Sequence, residues 1–168
     1  MKIASITASE RGATDEILVD IAARLQAQGR IVAGIVKDSG YCSGFANGCD
    51  TKVRVLPDGP IMKITQELGK GSDACRLDPG AIAQAVACVE NGTLQHADVF
   101  ILNKFGPEEA AGRGFCAAIG LALERGIPVL VGVGAANQAA FDQFSGGLST
   151  ALAPQPEAIL AWVQGTKP

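Results

Sequence analysis

The chain has 168 residues, 48% of them apolar and 18% charged, with a formal net charge of -3. That length suits one domain with a buried core, and a mildly acidic balance with no basic stripe argues against nucleic acid as a partner. The opening MKIASITASE turns polar by Ser9, too early for a signal peptide, and no stretch approaches the roughly 18 apolar residues that span a bilayer, so a cytoplasmic protein without membrane insertion is expected.

Residues 2–7 (KIASIT) form an apolar, partly β-branched run that predicts a strand. After a loop, Ile17, Ile21 and Leu25 share one face of an amphipathic helix that Gly29 stops. Residues 31–36 (IVAGIV) predict a second buried strand, so the chain opens as strand, helix, strand, the pattern of a parallel sheet. From 37 to 78 the rhythm breaks, and two alternating runs flank Pro57, Asp58, Gly59 and Pro60, the chemistry of a tight turn; an inserted β-ribbon is expected. Insertions this long are more often functional than decorative.

The α/β rhythm then returns. A helix is predicted over 79–91, with Asp78 as its N-cap and Pro79 at its first position. It is followed by a strand over 97–103, a helix over 108–125, a strand over 127–133 and short helices over 137–144 and 156–163. Residues 1–168 thus read as one α/β domain, with the insertion at about 37–78 lying inside it.

Ligands of open α/β sheets sit beyond the carboxyl ends of the strands, which directs attention to the loops after Thr7, Asn103 and Val133. The first, TASERGAT, occupies the place of a phosphate-binding GxxxxGK[ST] loop with Gly12 and Thr14 in register, but Thr7 replaces the first glycine and Ala13 the lysine. Backbone N–H groups where a helix begins still attract an anion. Ser9, Glu10, Arg11, Gly12, Ala13 and Thr14 are therefore candidate binding residues, with Arg11 supplying charge; the alternative is a plain βα turn with Thr14 capping the helix.

At the end of the central strand a P-loop protein carries a magnesium-binding aspartate. Asn103 stands there, followed by Lys104 where an acidic residue is expected, so magnesium-dependent hydrolysis is disfavoured and an anion without its metal is favoured. Lys104 also reads as a solvated loop lysine. Cys75 and Arg76, before a helix start, and Arg113, on the helix after the second loop, complete a cationic pocket if the insertion folds over the rim. Each arginine is equally a surface ion-pair partner of Asp73, Asp78 or Glu109. The five cysteines, Cys42, Cys49, Cys75, Cys88 and Cys116, have no CxxC spacing and predict neither a disulfide framework nor a metal site. His96, the single histidine, precedes the central strand on the side away from the rim, which disfavours triad chemistry.

The strand, loop and helix around LNKFGPEEAAGRGF resemble the small P-loop nucleoside-triphosphatases, in which an Asp-Glu-Ile-Gly-Pro motif precedes a helix bearing a phenylalanine; Phe105, Gly106, Pro107 and Phe115 match that context. RVLPDGP, ACRLDPGAI, NKFGPEEAAGRGF and IPVLVGV are similar, over nearly the whole chain, to a bacterial family described as molybdenum-transport ATP-binding proteins. The resemblance implies a three-layer P-loop-NTPase-like fold, with a parallel sheet flanked by helices, rather than a particular reaction. The expected activity is binding of ATP, another nucleotide or a phosphate-like oxyanion without efficient hydrolysis. Two alternatives are a molybdate- or tungstate-binding accessory of molybdenum transport, and a nucleoside-triphosphatase whose cation has moved to Arg11 or Lys104. A further alternative is an interaction domain with a relic loop. The partners are then a small anion, a second copy of the chain, or a transport component.

Overall fold

The computed structural model describes residues 2–41, 51–66 and 77–165. In chain order these form β1 (Ile3–Ile6), α1 (Ala13–Ala27), β2 (Val32–Lys37), β3 (Lys52–Leu56), β4 (Ile61–Lys63), α2 (Pro79–Glu90), β5 (Val99–Phe105), α3 (Pro107–Ala110), α4 (Cys116–Glu124), β6 (Val129–Val133), α5 (Gln138–Phe144), β7 (Thr150–Leu152) and α6 (Pro156–Gln164). The strands make one sheet in the order β4-β3-β2-β5-β6-β1-β7. Pairings from β2 through β7 are parallel, while β3 and β4 add to the β2 edge as an antiparallel ribbon. The expected inserted ribbon therefore extends the sheet itself, hinged at the predicted Pro57–Pro60 turn.

Alternation along each buried strand separates two cores. Val99 and Ile101 face α1 and α6, together with Leu18, Ile21, Leu25, Ile159 and Val163. Phe100 and Leu102 face α2, α4 and α5, together with Ile82, Val89, Ile119 and Phe141. This is the expected three-layer arrangement. Leu18, Ile21 and Leu25 are wholly buried, a stripe worth on the order of 5 to 9 kcal/mol. The exposed Asp20–Arg24 pair on the same helix adds a few tenths at most, so packing on the sheet is what fixes α1.

The predicted N-cap of α2 is present: the Asp78 carboxylate accepts from the Gly80 and Ala81 amides, and Pro79 follows it. The single helix predicted over 108–125 is instead two, α3 and α4. Gly112 and Gly114 turn the chain between them with φ of 74° and 56°, values open to glycine at little cost. Buried Glu109 holds that turn closed by accepting from the Gly106 and Phe115 amides, both at 3.0 Å. β7, which sequence periodicity misses, is three largely exposed residues. His96 is exposed at the end of a short 3-10 turn leading into β5, at the strand end opposite the rim, as expected.

Gly34 lies in β2 with φ of 110°, and an added Cβ would run into the Ile101 carbonyl of the neighbouring strand. Gly34→Ala is therefore expected to cost about 3 kcal/mol, read as a lowered urea midpoint at unchanged m-value. Glu109→Gln removes one of the two acceptors that hold the turn between α3 and α4, with an expected loss of about 2 kcal/mol in the same measurement. A change below about 0.5 kcal/mol would show that the carboxylate does not organise this turn.

Candidate functional site

The three loops named from the sequence share one rim and are tied together across it. The Thr7 hydroxyl donates to the Val133 carbonyl at 2.8 Å, joining the ends of β1 and β6. Asn137, just beyond β6, donates through Nδ2 to the Phe105 carbonyl at 3.1 Å, joining the ends of β6 and β5. Parallel pairing sets these ends level, and the two side chains stop them from spreading.

The loop from β1 to α1 turns at Gly12, whose φ of 86° and ψ of -17° make it the N-cap of α1. Thr14 is not the cap. Its hydroxyl lies inside the helix and accepts from the Ala8 amide at 3.0 Å, closing the loop on itself. The Ala13 amide donates to the Glu10 carbonyl at 3.2 Å, so one expected anion donor is already satisfied by the chain. The amides of Gly12 and Thr14 meet no backbone acceptor among the described residues. The seat for negative charge is thus narrower than the sequence implies. Ser9, Glu10 and Arg11 are exposed along the loop.

Asn103 is buried at the end of β5 and uses both ends of its amide. Its Oδ1 accepts from the Lys37 backbone amide at 3.1 Å, and its Nδ2 donates to Asp15 Oδ1 at 3.2 Å. The Lys37 ammonium, carried on the last residue of β2, sits 3.3 Å from Asp15 Oδ2. The carboxylate missing from the strand end is therefore supplied by the first turn of α1, and a lysine from the next strand already matches it. This donor set does not suit magnesium: the strand-end group is a neutral amide already spent, and the Thr14 oxygen is engaged with Ala8. Neither Asp15 nor Lys37 is among the residues singled out from the sequence. The usable signal was position, since Asp15 follows Thr14 and Lys37 closes a parallel strand on the same rim.

Arg11, Asp15, Asn103 and Lys104 meet at a cavity of about 380 Å³ on the α2 side of the sheet, floored by Ile35, Leu102 and Phe115 among other apolar side chains. The structure thus brings Arg11 from the first loop together with Asn103 and Lys104, which lie within β5 because the strand runs on to Phe105 and does not end at Asn103 as expected. Lys37 does not line this cavity and reaches it through Asp15; nor is it lined by Arg113. Arg113 makes a two-pronged pair with Glu108 at 2.9 and 3.1 Å on the surface, and the hydrogen bond and charge hold the Glu108 carboxyl below its ordinary range while raising Arg113. Cys42, Cys49, Asp73, Cys75 and Arg76 lie outside the described residues. Cys88 is exposed; Cys116 donates its thiol to the Glu109 carbonyl at 3.3 Å, and burial, then the Glu109 charge, push that thiol up. Among the described residues no group of three or more His, Cys, Asp or Glu is placed to hold a metal ion, and no helix is long and apolar enough to cross a membrane.

Two solved structures share this architecture. A human cancer-related nucleoside triphosphatase superposes with a TM-score of 0.71 over 100% of both chains at 15% identity. THEP1 from the hyperthermophile Aquifex aeolicus does so with a TM-score of 0.62 over 98% of this chain and 96% of its own at 10% identity. At those identities the likeness shows the fold alone, a three-layer α/β arrangement held in common with these two proteins. In sequence, the chain is 34% identical over 169 residues to the molybdenum import ATP-binding protein ModC 2 of Bradyrhizobium diazoefficiens. That match takes in 98% of this chain and spans only 18% of the relative's length. The profile of a family described as protein of unknown function (DUF2478) matches residues 3–162, and to that family this chain belongs.

Proposed function

We propose that the rim binds a nucleotide or another phosphate-like oxyanion and does so without efficient hydrolysis. The observation that carries this reading is the convergence of Arg11, from the loop before α1, and of Asn103 and Lys104, from the end of β5, on one cavity beside the start of α1. A guanidinium and an ammonium at the mouth of a largely apolar cavity suit a ligand with an anionic group and a flat or apolar body. The fold supports a nucleotide, since its solved neighbours include a protein titled a nucleoside triphosphatase. Against turnover stand Ala13 in the lysine position and Asn103 in the strand-end carboxylate position.

A second reading, molybdate or tungstate binding in support of molybdenum transport, rests on the name of the 34% identical relative. A tetrahedral oxyanion uses the same amides and cations as a phosphate, so the two readings share a site and differ in ligand. In either case the chain acts as a cytoplasmic binding protein that meets a small anion, with a second copy or a transport component as its macromolecular partner. Cys75 and Arg76, outside the described residues, remain candidate contacts to the ligand in this proposal, whereas Arg113 is committed to Glu108 away from the cavity.

A thermal-shift panel of nucleotides, phosphate, sulfate, molybdate and tungstate tests it. Ligand at about 100 times its dissociation constant adds roughly 2.7 kcal/mol, a rise of roughly 5 to 10 °C for a domain of this size. Protection by nucleotides is expected; protection by molybdate and tungstate alone selects the second reading, and flat curves throughout overturn both. Lys104→Ala is expected to weaken the protecting ligand about tenfold, or about 1.4 kcal/mol. Phosphate release from ATP with magnesium is expected to equal the protein-free blank, and turnover abolished in Lys104→Ala would show instead an enzyme with a relocated cation.

A further inference from the structure

The first turn of α1 carries Asp15 and Glu16 where a bound anion would meet the helix. Carboxylates there satisfy the helix end and repel a second negative charge. P-loop proteins overcome a comparable crowding of charge with a lysine and a magnesium ion held between the helix start and the strand end. In this chain that interval is spanned by the protein itself: Asp15 bonds to Asn103 at 3.2 Å and to the Lys37 ammonium at 3.3 Å. Lys37 is fixed from behind as well, because its backbone amide donates to Asn103 Oδ1. The neighbouring carboxylate, Asp38, is already engaged with Arg54 at 3.3 Å, which leaves Asp15 as the group that Lys37 serves.

Building on the anion-binding reading, we propose that Lys37 is the site's built-in cation and that it makes ligand binding independent of magnesium. Lys37 acts through Asp15: it does not itself line the cavity, Asp15 does, and the ammonium 3.3 Å away neutralises that carboxylate. The Lys37 side chain is 41% exposed and Asp15's 23%, so the pair is open to solvent. By cancelling Asp15, Lys37 also removes the repulsion that the first turn of α1 would otherwise present. The ligand class that follows is a metal-free polyphosphate or similar oxyanion, rather than the magnesium complex that a P-loop site with its usual carboxylate selects.

Calorimetric titration with inorganic pyrophosphate and with ATP, in EDTA and in millimolar magnesium, tests this on the whole chain. Wild type is expected to bind with affinities that agree within threefold in the two buffers, or more tightly in EDTA. Lys37→Met is expected to lose at least tenfold in EDTA and to recover part of that loss with magnesium, because Asp15 is then free to attract the metal. Lys37→Arg is expected to retain most of the affinity, and equal melting temperatures of the variants establish that they fold. Wild-type binding that needs magnesium, or Lys37→Met binding like wild type in EDTA, overturns the role of Lys37 and leaves the anion site standing. No binding by wild type in either buffer overturns the anion-binding reading and this inference with it.

Discussion

The side chain of Asn103 is the junction on which the rim depends. One amide group joins three elements: β5, which carries it, β2 through the Lys37 amide, and α1 through Asp15. Parallel strands diverge beyond their last ladder bond because the sheet twists, and a buried amide with both ends satisfied is a strong clasp at that point, since either end left unpaired would cost about 1 to 3 kcal/mol. Aspartate in its place would accept from Lys37 and leave Asp15 facing a like charge. The choice of asparagine is therefore tied to Asp15.

The same coupling shows how a P-loop scaffold can hold its shape while its electrostatics change. The strand order and crossovers that place a loop before α1 depend on the apolar faces of β1, β5 and β6, which are wholly buried, and not on which cation stands at the rim. Function resides in the grafted site and not in the fold. Here a glycine turn at Gly12 starts α1, the Thr14 hydroxyl closes the loop on Ala8, and Arg11, Lys37 and Lys104 stand about the rim.

Much of the fold was legible because strand residues such as those of KIASIT, IVAGIV and IPVLVGV are continuous apolar runs bounded by turn residues, and Asp78-Pro79 is an unambiguous helix start. The break between α3 and α4 was hidden by good helix formers on both sides. It is dictated by Gly112, Gly114 and a buried Glu109, whose partners are set only by the tertiary structure. At the proposed site, Arg11, Asn103 and Lys104, singled out by their places along the chain, line one cavity. Asp15 and Lys37 were not singled out, because their pairing follows from the register that sets Ile35 beside Leu102 and so brings the end of β2 to Asn103. The capping role offered for Thr14 failed for a similar reason: the left-handed turn at Gly12 starts the helix earlier and turns the hydroxyl toward Ala8.

The antiparallel ribbon has one more effect. Without it the sheet would end on β2, six residues, mostly apolar, open to any passing strand, a recognised hazard for aggregation. With it, among the described residues both borders of the sheet are strands of three residues, Ile61–Lys63 and Thr150–Leu152. So short a border offers a foreign chain few donors and acceptors in register, and it keeps the long apolar strands in the interior, where they support the rim instead of recruiting neighbours.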